Sequence, residues 1–72
     1  RLKGTEGVVV VRFVVDERGR TRDEEVVQGL GDGCDQAAIR AVIQTRFRPG
    51  RNDGAEVPVV MEVPVNFFVG QQ

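Results

Sequence analysis

The sequence contains no histidine, serine, tyrosine or tryptophan, and one cysteine, Cys34. Without histidine and serine, Ser-His and Cys-His nucleophile pairs, histidine general bases and histidine-ligated zinc are excluded together. A lone cysteine can form neither an internal disulfide nor a multi-cysteine metal site. An excess of charge of one sign is also lacking. Ten basic and eleven acidic residues leave a net charge of −1, with the basic residues scattered rather than striped along one face. The electrostatic footprint of a nucleic-acid-binding surface is therefore absent. No apolar run approaches the roughly 20 residues of a membrane-spanning helix. Chemistry is left with carboxylates, Lys3, three threonines and Cys34. The carboxylate pairs Asp16-Glu17 and Glu24-Glu25 are adjacent in sequence, and neighbours on a strand point to opposite faces, so neither forms a catalytic dyad. A non-enzymatic protein without cofactor or metal is expected.

What is present is a period of two. From Val57 to Val69 every odd position is apolar: Val57, Val59, Met61, Val63, Val65, Phe67, Val69. The even positions are Pro58, Val60, Glu62, Pro64, Asn66 and Phe68. This predicts a long strand with one face in a core. Backbone N–H groups of like parity point the same way, and Pro58 and Pro64 have none to give. The even-side edge cannot carry an unbroken ladder, so an edge strand is expected. Such an edge is either blunted against aggregation or offered to a strand of another chain.

The remainder fits one domain spanning residues 1–72, with 40% hydrophobic residues. The chain opens at Arg1 without Met and reads as a fragment of a longer protein. After a polar lead-in to Gly7, Val8–Val15 is predicted as a central strand with apolar residues on both faces, the Val9, Val11, Phe13, Val15 set being the main core face. Asp16-Glu17-Arg18-Gly19 is a tight turn with Gly19 suited to the left-handed conformation. Arg20–Gln28 returns as a weaker strand, its first half almost wholly polar. Gly29–Gly33 is a hinge loop in which Asp32 can cap the following helix, with Asp35 adding negative charge in the first turn. Its glycines are a poor match to a phosphate-binding loop, because the sixth position of the motif would be Cys34 and Asp32 would oppose phosphate.

A helix is predicted over Cys34–Arg46, burying Cys34, Ala38, Ala41, Val42 and Thr45, flanked by Ile39 and Ile43, with Asp35, Gln36, Arg40 and Gln44 facing away. Phe47-Arg48-Pro49-Gly50 stops it, and Arg51-Asn52-Asp53-Gly54 is a second polar turn. The expected fold is α+β: a two-layer β-β-α-β sandwich, one helix on one face of a three-stranded antiparallel sheet of order 2-1-3. That order puts the doubly apolar strand in the middle and the proline-bearing strand at an edge.

The whole pattern resembles the C-terminal domain of the TonB energy-transducer family. Gly4–Gly7 followed by Val9, Val11, Arg12, Phe13 and Val15 is similar to that family's first strand, and Gly19-Arg20 to its hairpin turn. Asp35-Gln36-Ala37-Ala38-Ile39-Arg40-Ala41-Val42 resembles its helix. Arg46-Phe47-Arg48-Pro49-Gly50 resembles its helix-end motif, an aromatic residue followed by x-Pro, and Val57–Val69 its last strand. Three features depart from the family pattern. An upstream segment with a Tyr-Pro pair and a short helix is missing, Thr45 stands where Trp is frequent, and Glu24 stands where the second strand usually has an apolar residue.

The resemblance implies the periplasmic domain of a protein anchored in the inner membrane, which couples the proton motive force to uptake by outer-membrane β-barrel transporters. It implies capture of the transporter's N-terminal TonB-box peptide by strand addition at the last strand, with force on that peptide acting on the plug inside the barrel. It also implies a link to an inner-membrane proton-channel complex through sequence upstream of this domain. The peptide-binding residues would be Val59, Val60, Met61, Glu62, Val63, Asn66, Phe67 and Phe68, with N–H donors at Val60, Glu62, Asn66 and Phe68 and gaps at Pro58 and Pro64. The alternative is an assembly module of the cell envelope that forms a strand-exchanged or edge-paired homodimer, favoured by the apolar second face of the first strand and by the open edge.

Overall fold

The first strand in the chain is also the spine of the sheet. The computed structural model describes residues 6–68, and β1 (Glu6–Val15) runs through its centre. Alternation sends Val9, Val11, Phe13 and Val15 to one face, where all four are buried, and Val8, Val10, Arg12 and Val14 to the other. The Asp16–Gly19 turn returns the chain as β2 (Thr21–Gln28). Gly19 N–H donates to the Asp16 carbonyl at 3.0 Å and Asp16 N–H to the Arg20 carbonyl at 2.8 Å. The Asp16 carboxylate accepts from the N–H groups of Arg18 and Arg20, both at 2.9 Å. These last bonds hold its pKa below the ordinary value, the Arg20 N–H most strongly. Gly19 has φ 83°, and a Cβ there would lie 2.5 Å from the Phe47 carbonyl oxygen, so the turn is fixed by both backbone conformation and a close approach.

Helix α1 (Asp32–Gln44) crosses the buried face over β1 and β2. It begins two residues earlier and ends two earlier than the sequence pattern suggests. The cap position is Gly31, a residue with no side chain to cap with. Asp35 reaches back from the first turn instead: its Oδ1 accepts the Leu30 N–H at 2.9 Å and the Gly31 N–H at 3.3 Å, tying the hinge loop to the helix start. Asp35 is half-buried for this reason, not turned to solvent as expected. Ala38 and Val42 are buried and Cys34 half-buried, a stripe at spacing four. Ala41 and Thr45 fall outside it and are exposed. Thr45 closes the helix instead, donating its hydroxyl to the Ala41 carbonyl at 2.7 Å and its N–H to the Val42 carbonyl at 3.1 Å. Phe47 then folds back onto Phe13, ring centroids 5.0 Å apart.

The second polar turn is a hairpin in its own right. β3 (Gly50–Asn52) pairs with β4 (Ala55–Val57) around Asp53-Gly54, whose φ values of 54° and 81° are those of a type I′ turn. Pro58 separates this small sheet from β5 (Val59–Phe68). The long terminal strand therefore starts at Val59, because Val57 is committed to β4. Its other expected end, Val69, lies outside the described residues, as do Lys3, Gly4 and Thr5 of the lead-in and the side chain of Asp32.

β5 pairs with β1, giving a three-stranded antiparallel sheet of order β2-β1-β5. This is the β-β-α-β sandwich of order 2-1-3 expected from the sequence, with the β3–β4 hairpin added. The opposite face of β1 is the second apolar face expected from the sequence. Among the described residues no second layer lies on it, and Val8, Val10 and Val14 are half-buried.

Candidate functional site

The two edges of the sheet differ in kind. β2 pairs with β1 through two register shifts, one between Val10 and Val11 and one between Arg12 and Val14. Asp23 has φ 57° within the second. Its surface is lined by Arg22, Asp23, Glu24 and Glu25, and Glu24, half-buried, is bonded by the Thr21 hydroxyl at 2.8 Å. A bulged, charged edge of this type is poorly suited to receive another strand. β5 is the reverse. It pairs with β1 in one register from Glu6↔Phe68 to Val15↔Val59.

Proline fixes which groups of β5 are free. Pro64 lies opposite Val10 within this unbroken register. Having no N–H, it can occupy only a non-hydrogen-bonded pair, so residues of its parity turn their backbone polar groups away from β1. The N–H groups of Val60, Glu62, Asn66 and Phe68 thus face the free edge, with one gap at Pro64. Pro58, the second expected gap, sits before β5 begins.

The sequence-predicted binding residues all lie on β5, divided between its faces. Val59, Met61, Val63 and Phe67 point to the helix side. Because α1 packs over β1 and β2, Met61, Val63 and Phe67 stay half-exposed, an apolar ledge beside the edge. Val60, Glu62, Asn66 and Phe68 point to the open face, where Val60 is 63% and Phe68 72% exposed. Sequence reasoning missed one feature here. Arg12 lies between Glu25 and Glu62 in a single row across the sheet. Its Nε and one terminal nitrogen each lie 3.0 Å from Glu62 Oε2, and its other terminal nitrogen is 3.6 Å from Glu25. The signal was available, since Arg12 and Glu62 are isolated charges in otherwise apolar strands, but it required the register. Elsewhere, a hollow of about 300 Å³ on the outer side of α1 is lined by Gln36, Ile39, Arg40 and Ile43. Among the described residues no three Cys, Asp or Glu side chains converge as a metal site.

A small α+β domain whose last strand is a regular free edge is the class that this fold and site define. The comparisons with known proteins narrow it. The family model described as the C-terminal part of Gram-negative bacterial TonB protein matches residues 1–69, and the chain belongs to this family. It is also similar to "Protein TonB" of Vibrio cholerae serotype O1 (strain ATCC 39315 / El Tor Inaba N16961), with 29% identity over 68 residues. That alignment takes in 93% of this chain and 28% of the Vibrio protein, so the chain spans a little over a quarter of its curated relative. No solved structure matches. No helix among the described residues is long and apolar enough to cross a membrane.

Proposed function

We propose that the domain captures an extended peptide by adding it to the free edge of β5, and that the peptide is the TonB box of an outer-membrane transporter. The observation that carries this reading is the contrast between the two edges: bulged and charged at β2, regular and open at β5. Main-chain bonds from Val60, Glu62, Asn66 and Phe68, each worth about 0.5–1.5 kcal/mol net, would supply affinity. Val59, Met61, Val63 and Phe67 would meet every second side chain of the peptide on the helix side. In this reading the domain is the periplasmic part of an inner-membrane-anchored energy transducer. It links outer-membrane uptake to the proton motive force through an inner-membrane proton-channel complex. The function is binding, not catalysis.

Titration of isotope-labelled protein with a TonB-box peptide, followed by backbone amide NMR, tests this. The expected shifts concentrate at Val60, Glu62, Asn66 and Phe68. Unmoved β5 amides in a monomeric sample would remove peptide capture.

One observation favours a second reading, a homodimeric assembly module. The open sheet face exposes Val60 and Phe68 beside the half-buried Val8, Val10 and Val14. A second copy paired at β5 would occupy the edge that the peptide needs. Light scattering over a concentration series decides: a monomer mass throughout eliminates the dimer.

A further inference from the structure

The row Glu25–Arg12–Glu62 runs across all three strands on the open face and ends at the free edge on an acid. Two carboxylates share one guanidinium, so the row carries a net negative charge. Both Arg12 contacts to Glu62 reach the same oxygen, Oε2. Oε1 has no hydrogen-bond partner among the described residues, and the Glu62 side chain is 49% exposed. The other even positions of β5 are uncharged: Val60, Pro64, Asn66 and Phe68. Arg22, which the register sets opposite Val14 on this face, is held by Asp23 at 2.8 Å.

From this geometry we infer that β5 selects extended peptides bearing a lysine or arginine at the position opposite Glu62. The inference rests on strand capture at β5. A fourth strand would set one side chain directly beside Glu62, at a cross-strand separation of roughly 5 Å. A cation there completes an alternating ladder of negative, positive, negative, positive, and engages the free oxygen. An acid meets like charge, and an apolar side chain strips water from a carboxylate oxygen without replacing its bonds. The same contact sets register. Main-chain bonding along β5 is nearly uniform and would tolerate slippage by two residues, whereas only one rung of the edge carries a charge. Glu62 therefore positions the peptide relative to the gap at Pro64.

Short blocked peptides of alternating valine and threonine, identical except for Lys, Gln or Glu at one central position on the threonine face, test this against the 72-residue chain. Affinity is read from titration of the β5 amides. The expected order is Lys, then Gln, then Glu, each step about two- to fivefold, narrowing as salt rises. Glu62→Gln should bring the three peptides together, and Glu62→Lys should invert the order. Thermal melts establish that each variant is folded, and the comparison on the unaltered chain needs no variant. If all three shift the β5 amides with equal affinity, charge selection is wrong and strand capture stands. The same holds if the order persists in Glu62→Gln. If no peptide moves those amides, capture fails and this inference fails with it.

Discussion

Gly19 shows how much a single position can decide. A side chain there must adopt φ 83° and push against the Phe47 carbonyl, which is backbone and cannot rotate away. Gly19→Ala is expected to cost about 1–3 kcal/mol, measured by urea unfolding. Asp16, at the other end of the turn, sets a pH dependence. Its carboxylate is favoured in the folded state by the N–H groups of Arg20 and Arg18, so its folded pKa is depressed. The stability it contributes is present above the unfolded value of about 3.9 and is lost as pH falls through the lower folded value. Asp16→Ala should lower the melting temperature at neutral pH, and its gap from the parent should close in strongly acid solution. Melts from pH 7 downward check both. Gly19 was legible because a tight turn before a returning strand demands a left-handed residue. Asp35 was not, because its bonds run backward to Leu30 and Gly31, and helical spacing alone places it with the solvent-facing residues.

At the scale of elements, strand parity proved the most informative signal. Pro64, together with the all-apolar odd positions, specifies both the helix-side face of β5 and its free edge; Pro58, of the same parity, falls just before the strand. The sheet order follows once β1 is seen to be apolar on both faces. The β3–β4 hairpin was hidden although Asp53-Gly54 is a strong turn pair, because Arg51-Asn52 and Ala55-Glu56 offer no alternating apolar pattern beside it. The irregularity of β2 was equally hidden, since its polar first half shows no period that a bulge could interrupt. Pro64 is the element-scale test. Pro64→Val restores the missing N–H and a continuous β-branched edge. Self-association should increase, seen as a rising mass in light scattering with protein concentration, because the interruption that blunts this edge is gone.

The whole molecule is long and thinly cored. It extends 52 Å along its major axis, although a ten-residue strand accounts for only about 33 Å. Among the described residues six form the buried core: Val9, Val11, Phe13, Val15, Ala38 and Val42. A chain of 72 residues has a total stability of roughly 4–11 kcal/mol at typical values per residue. Phe13→Ala, which removes the largest fully buried side chain and its contact with Phe47, should cost about 3–5 kcal/mol. A loss of that size takes from about a quarter to the whole of that margin. The unfolding midpoint of Phe13→Ala, followed by circular dichroism, should therefore fall far below that of the parent, with Phe13→Leu between the two.

The unbroken pairing of β5 with β1 has a mechanical consequence. Bonds in an antiparallel ladder lie perpendicular to the strands. A load drawn along β5 is therefore a shear, and all of its rungs must yield together. A load applied sideways at one end would peel them one at a time. A peptide lying along the free edge would inherit the same asymmetry: slow to slip when pulled along its length, quick to leave when lifted from one end. The gap at Pro64 would divide that grip into two short clamps, Val60–Glu62 and Asn66–Phe68, so that release need not await the failure of the whole strand at once.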